Sequence, residues 1–154
     1  MVIPKEIRRT QHIRVGDPLE IYVSGEGEVI FKKYSPLAEL SAFAADYAEV
    51  LYKNGGISAL IADRDTVISA AGNAKEACDK RLTQAFVQAA EQRRIFAAAT
   101  ASEQVPVTEH CALRASAVCP VLCQGDVIGA VAMVSAAAPT EREQALLLVA
   151  AAFL

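Results

Sequence analysis

Near the start of this chain, apolar and polar residues alternate. Leu19, Ile21 and Val23 interleave with Glu20, Tyr22 and Ser24, a period of two that predicts a strand with one buried face. Val29 and Phe31 interleave with Ile30 and Lys32 in the same way, and Ser24-Gly25-Glu26-Gly27 between them is a hairpin turn signal. Ahead of the hairpin the pattern predicts a short helix over residues 4–12. Pro4 takes its first position, where a missing N–H costs nothing. Two strands and a short helix bury too little surface to fold alone. Residues 1–34 therefore need further chain or a partner copy.

From residue 35 the period lengthens. Ser35 and Pro36 read as a helix start. Leu37, Leu40, Ala44, Tyr47 and Leu51 then recur at helical spacing, with Phe43 and Val50 on an adjacent stripe. Gly55-Gly56 ends that helix. Two apolar stripes predict two contacts, one within the domain and one to a partner chain. Apolar runs at 57–62 and 66–71 flank the turn Asp63-Arg64-Asp65. Asn73, with Glu76 three residues on, reads as the cap of a second helix whose apolar face is Leu82, Phe86, Ala89 and Ala90. Residues 95–101 read as a strand and 104–109 as a loop holding Pro106. Residues 115–124 and 127–135 form a hairpin around Gly125-Asp126. Thr140 and Glu143 make a capping box for a last helix from Glu141. That helix is apolar on all sides near Leu146-Leu147-Leu148-Val149, which predicts burial in a helical bundle between subunits. The order helix, hairpin, helix, strand, hairpin, helix predicts an α+β fold, an antiparallel sheet flanked by helices.

Composition adds bounds. The chain has 154 residues, 53% of them hydrophobic and none tryptophan, enough for one ordinary domain or two small ones. No segment approaches ~20 uninterrupted apolar residues, and no secretory signal opens the chain. A cytoplasmic protein with no membrane partner is expected. The net charge is −3, yet between Met1 and Arg14 the four cations Lys5, Arg8, Arg9 and Arg14 face one acid, Glu6. A basic start on an acidic chain points to an anionic partner. By charge alone, a solvated helix face explains it as well.

Candidate chemistry is sparse. Asp63 and Asp65 are explained by the turn they sit in. His110 and Ser116 lack a triad context, and no Walker-type phosphate loop is present. No catalysis, cofactor or metal is expected. Of the four cysteines, Cys119 and Cys123 are read on one face of one strand. At ~3.3 Å per residue they stand about 13 Å apart, too far for a disulfide or a shared zinc. Cys78, Cys111, Cys119 and Cys123 are expected as buried reduced thiols, with thiol-based redox sensing as the alternative role.

Three runs carry a family likeness: Val2-Ile3-Pro4-Lys5-Glu6-Ile7-Arg8-Arg9-Thr10, Gly16-Asp17-Pro18-Leu19-Glu20-Ile21-Tyr22-Val23, and Lys32-Lys33-Tyr34. They resemble the swapped-hairpin DNA-binding domain of the AbrB-type transition-state regulators. The continuation Tyr34-Ser35-Pro36-Leu37-Ala38-Glu39-Leu40 resembles the stage V sporulation protein T family in particular. Weaker similarity runs on through Ile61-Ala62-Asp63-Arg64-Asp65 and Ile128-Gly129-Ala130-Val131. The resemblance implies a partial swapped-hairpin β domain at residues 1–34 and a GAF-like sensor or oligomerisation domain at 35–154. It implies a DNA-binding transcriptional regulator of sporulation. Arg8 and Arg9 match the helix pair that touches DNA in the family; Lys5 would support a phosphate and Arg14 would join them. The implied partners are double-stranded DNA, further copies in a homodimer or homotetramer, and a small-molecule ligand under lids at 72–81 and 102–114. In the family an upstream strand ending Gly-Arg completes the first hairpin. The chain given begins after it, so a start inside a longer protein is expected, and the abrupt close at Phe153-Leu154 suggests the same there. The alternative is a stand-alone ligand-binding or dimerisation module with a vestigial DNA-binding half-domain.

Overall fold

The computed structural model describes residues 2–11, 13–34, 36–37, 40–109 and 111–154, in two compact units, Met1–Ser35 and Pro36–Leu154. The first unit holds helix α1 (Lys5–Thr10) and the antiparallel pair β1 (Leu19–Val23) and β2 (Val29–Lys33). Pro4 stands one place earlier than its sequence suggests. Its ψ of 144° is extended while its carbonyl accepts the first helical bond from the Arg8 N–H, so it is the cap rather than the first helical residue. Gln11 closes the helix, and the predicted end at His12 lies outside the described residues. The hairpin forms as its turn chemistry dictates: Gly27 takes φ +86°, and Ser24 Oγ accepts the Glu28 N–H at 3.1 Å.

The alternating face of this hairpin is not buried, which corrects the sequence reading. Leu19, Ile21 and Val23 register against Lys33, Phe31 and Val29, so both strands point their apolar residues to one side. Ile21 is nevertheless 64% exposed and Val23 74%. A two-stranded ribbon has no second layer of its own to cover it.

The second unit is an antiparallel sheet with helices on both faces. α2 (Ser41–Gly55) leads to β3 (Ala59–Ala62) and β4 (Val67–Ala70). A 3-10 helix (Gly72–Ala77), α3 (Gln84–Glu91), β5 (Phe96–Ala97), a short 3-10 turn (Ala101–Glu103) and β6 (Val105–Pro106) follow. The long hairpin β7 (Arg114–Cys123) and β8 (Asp126–Val134) then precedes α4 (Glu141–Phe153). The strand order is β4-β3-β8-β7-β5, with β6 also on β7. Alternation along each strand splits the core in two. Ala59, Ile61, Cys119, Val131 and Met133 face Ala44, Ala48 and Leu51 of α2 and Leu147 and Ala150 of α4. Leu60, Ala62, Val118, Ala130 and Ala132 face Ala74, Leu82, Phe86 and Val107. Each fully buried side chain of Leu or Phe size stabilises by about 1.5–3 kcal/mol.

Several boundaries differ from the pattern reading. α2 starts at Ser41 and not at Pro36, because Leu37 folds inward, 1% exposed, and turns the chain: the Leu40 N–H donates to its carbonyl. The expected Ser35 cap lies outside the described residues, as do Ala38 and Glu39. The single helix expected from Asn73 is two pieces. Asn73 does not cap; Ala71 stands there, and the Asn73 N–H donates to Ser58 Oγ. The chain then straightens to seal the outer edge of β4, with Val67 N–H donating to Lys80 O and Asp79 N–H to Val67 O. α3 begins only after Thr83, whose hydroxyl accepts the Phe86 N–H. Residues 95–101 yield a two-residue strand, and the Pro106 loop contains β6. The β7–β8 turn is Gln124-Gly125, with φ of +52° and +84°, a two-residue primed turn. Cys119 is buried, but Cys123 beside the hairpin turn is exposed and Cys78 and Cys111 are half-buried, so of the four thiols expected to be buried only Cys119 is. The register shift between Val121 and Leu122 comes from Ile128, an extra residue of β8. The Thr140–Glu143 capping box and the left-handed Gly56 after α2 form as expected. α4 buries Leu147, Ala150 and Ala151 but leaves Leu148, Val149 and Phe153 exposed within the single chain.

Candidate nucleic-acid interface

The first unit gathers the predicted cations on one short segment. α1 has Glu6 in its first turn and Arg8 and Arg9 in its last, the charge order that a helix dipole favours. Thr10 folds its hydroxyl back onto the Glu6 carbonyl at 3.0 Å. None of the helix residues is buried. Lys5 and Arg9 are exposed and Arg8 is half-buried. Arg9 Nη2 sits 2.9 Å from Glu6 Oε2, an exposed pair one turn apart that costs little to exchange for another anion. The Arg8 Nε is shielded from solvent and has no hydrogen-bond partner.

After α1 the chain turns through Gly16 at φ +90°. The Asp17 carboxylate accepts the Arg14 N–H at 2.8 Å, and the Asp17 N–H donates to the Arg14 carbonyl at 3.1 Å. Exposed Arg14 is thereby fixed to the foot of the hairpin. Two cations not singled out from the sequence belong to the same unit. Lys33 Nζ lies 3.6 Å from Asp17 Oδ2, and Lys32 Nζ lies 5.7 Å from the Tyr22 ring centroid. Their alternation with Phe31 on a strand could have placed them on opposite sides.

The second unit carries the segments read as lids. The 3-10 helix Gly72–Ala77 and the 107–113 segment meet where the Cys111 thiol donates to Glu76 Oε1 at 2.9 Å. His110 lies outside the described residues. Thr108, on the inner side, is 2% exposed and its hydroxyl has no partner. Burial raises the Cys119 thiol above its ordinary pKa. Burial, followed by the Asp79 charge, does so for Cys78. All four cysteines are free, and no group of His, Cys, Asp or Glu among the described residues could hold a metal. Asp63 Oδ1 accepts the Asp65 and Thr66 N–H groups at 2.8 Å each, so it is committed to its turn. No helix among the described residues is long and apolar enough to cross a membrane.

Residues 39–154 match the family described as stage V sporulation protein T C-terminal, transcription factor. Residues 1–38 match the family described as antidote-toxin recognition MazE, bacterial antitoxin. Among curated proteins, stage V sporulation protein T of Bacillus subtilis (strain 168) is 43% identical over 137 residues, covering 88% of this chain and 77% of that protein. Among solved structures, a GAF domain of a phosphoenolpyruvate-protein phosphotransferase from Coxiella burnetii matches with TM-score 0.58 at 16% identity, over 74% of this chain and 79% of the other. Residues 122 to 287 of a methyl-accepting chemotaxis protein match with TM-score 0.60 at 17% identity, over 75% and 85%. A type II free methionine-R-sulfoxide reductase from Thermoplasma acidophilum matches with TM-score 0.56, also at 17%, over 76% and 91%. At such identities these structures establish the fold alone, a GAF-type antiparallel sheet with helices.

Proposed function

Because this chain belongs to the stage V sporulation protein T family, we propose that it is a DNA-binding regulator of transcription in sporulation, docking through Lys5, Arg8, Arg9 and Arg14. The observation that carries this reading is the state of α1. Three of its six residues are cations and none of the six is buried, so the helix is presented outward rather than used for packing. Phosphate contacts by such cations position a protein on duplex DNA and release counterions. Arg8 and Arg9 make the principal contacts, Lys5 supports a phosphate, and Arg14 extends the footprint from the adjoining turn.

The remaining surfaces support an oligomer. Ile21, Val23, Val29 and Phe31 leave the hairpin with an open apolar face. On the second unit Phe43, Val50, Leu148, Val149 and Phe153 are exposed, and Phe153 stacks at 5.7 Å on Phe43 and 5.5 Å on Tyr47. Apolar surface of this kind marks association sites, and further copies of the chain fit both. The GAF-type unit would link oligomer geometry to a small molecule held on the Thr108 side.

The test is affinity for mixed-sequence duplex DNA measured across salt concentrations. A regulator shows log affinity falling linearly with log salt, with a slope of roughly 0.9 per phosphate neutralised. A stand-alone module shows no salt-sensitive retention, and that result would remove the DNA reading.

A further inference from the structure

The geometry points to Asp17 as a positioning residue for the DNA interface: its carboxylate holds Arg14 in place by joining the turn after α1 to the second strand of the hairpin. The inference rests on the DNA-binding reading above and names a residue that carries the wrong charge to touch DNA itself.

Asp17 is one of five acids in this unit, beside Glu6, Glu20, Glu26 and Glu28, and its side chain is only 4% exposed. Burying a carboxylate is costly unless it is paired and hydrogen-bonded, and Asp17 is both. Oδ2 accepts the Arg14 backbone N–H at 2.8 Å and faces Lys33 Nζ at 3.6 Å. The Asp17 N–H closes the turn on the Arg14 carbonyl, and the Tyr34 N–H donates to the neighbouring Pro18 carbonyl at 3.0 Å, extending the ladder to the same level. Asp17 is two residues before Leu19, which registers against Lys33, so the pair lies diagonally across one face of the ribbon. None of the described residues of this unit is fully buried. A polar pin therefore does what packing does elsewhere. It sets where the Arg14 backbone leaves the hairpin, and hence where the guanidinium reaches.

The charge logic gives the test its sign. Removing an acid from a DNA-binding face should, by Coulomb attraction alone, tighten binding. A positioning role predicts the opposite for Asp17→Ala. The experiment uses the full chain and mixed-sequence duplex DNA, comparing wild type, D17A, D17N, R14A and D17A/R14A at matched salt. One lost phosphate contact changes affinity by about 8-fold near ~0.1 M salt. D17A is expected to lose about that much and D17N, which keeps an oxygen for the Arg14 N–H, to bind at least as tightly as wild type. The double variant is expected to bind no worse than R14A, because the two changes remove one contact. D17A binding at wild-type strength or tighter would overturn the role. So would a D17A loss that persists undiminished in the R14A background, which marks a general folding defect. If wild type itself binds DNA with no salt dependence, the underlying DNA reading fails instead, a separate outcome visible in the same data.

Discussion

Replacing Thr108 by valine should stabilise the protein. Thr108 is 2% exposed, its hydroxyl has no partner, and it pairs with Leu82 across a backbone bridge. A buried hydroxyl left unsatisfied costs about 1–3 kcal/mol. Valine has nearly the same shape and removes the polar atom while adding a buried methyl. The expected gain is therefore about 1–3 kcal/mol less any loss from imperfect fit. At a typical urea slope of about 2 kcal/mol per molar, that raises the midpoint by roughly 0.5–1.5 M with the slope unchanged. Far-UV circular dichroism in urea reads it directly. A lower midpoint for Thr108→Val refutes the reasoning, because it means that the hydroxyl has a partner in solution. Such a partner, water or a small molecule, would sit on the side assigned to ligand sensing.

Three further outcomes follow from the packing. A Cβ at Gly129 would lie 2.2 Å from the Ala62 carbonyl oxygen and 2.4 Å from Leu37 Cδ1, so Gly129→Ala should lower stability by at least ~2 kcal/mol in urea unfolding. Thr140→Ala removes the hydroxyl that caps α4 at 3.1 Å and should cost about 1 kcal/mol, with Thr140→Ser retaining most of it. Native protein with a thiol reagent should label exposed Cys123 first and buried Cys119 last. Because the folded Cys119 pKa is raised, its contribution to stability is full below the ordinary thiol pKa and is lost as pH rises through the folded value. Labelling of Cys119 at neutral pH as fast as that of Cys123 would contradict this order.

The elements legible in the sequence were those with local chemistry. The Ser24–Gly27 turn, the Gly56 helix stop and the Thr140–Glu143 box each satisfy backbone groups with residues a few positions away. What the sequence concealed depended on partners far along the chain. The helix read from Asn73 runs through residues 78–82, yet these straighten because the edge of β4 needs backbone partners. Leu37 looks like the first turn of a helix, but its place is set by the close approach possible at Gly129, over ninety residues later. Ile128 is an extra residue in β8 opposite the Val121–Leu122 step of β7, a register shift that no period-two rule contains. At the candidate interface, Lys5, Arg8, Arg9 and Arg14 were visible as charge. Asp17 was visible only as part of a family motif, because its role requires the distance to Lys33 across the hairpin.

Docking on DNA through α1 stands or falls with Arg8. It lies on α1, its Nε has no partner, and it takes the leading contact in the proposed docking. The measurement is the slope of log affinity against log salt for duplex DNA, wild type beside Arg8→Ala in the full chain. Arg8→Ala should bind more weakly, with a slope shallower by roughly 0.9 for each lost phosphate contact. An Arg8→Ala protein with the wild-type slope would contradict that docking.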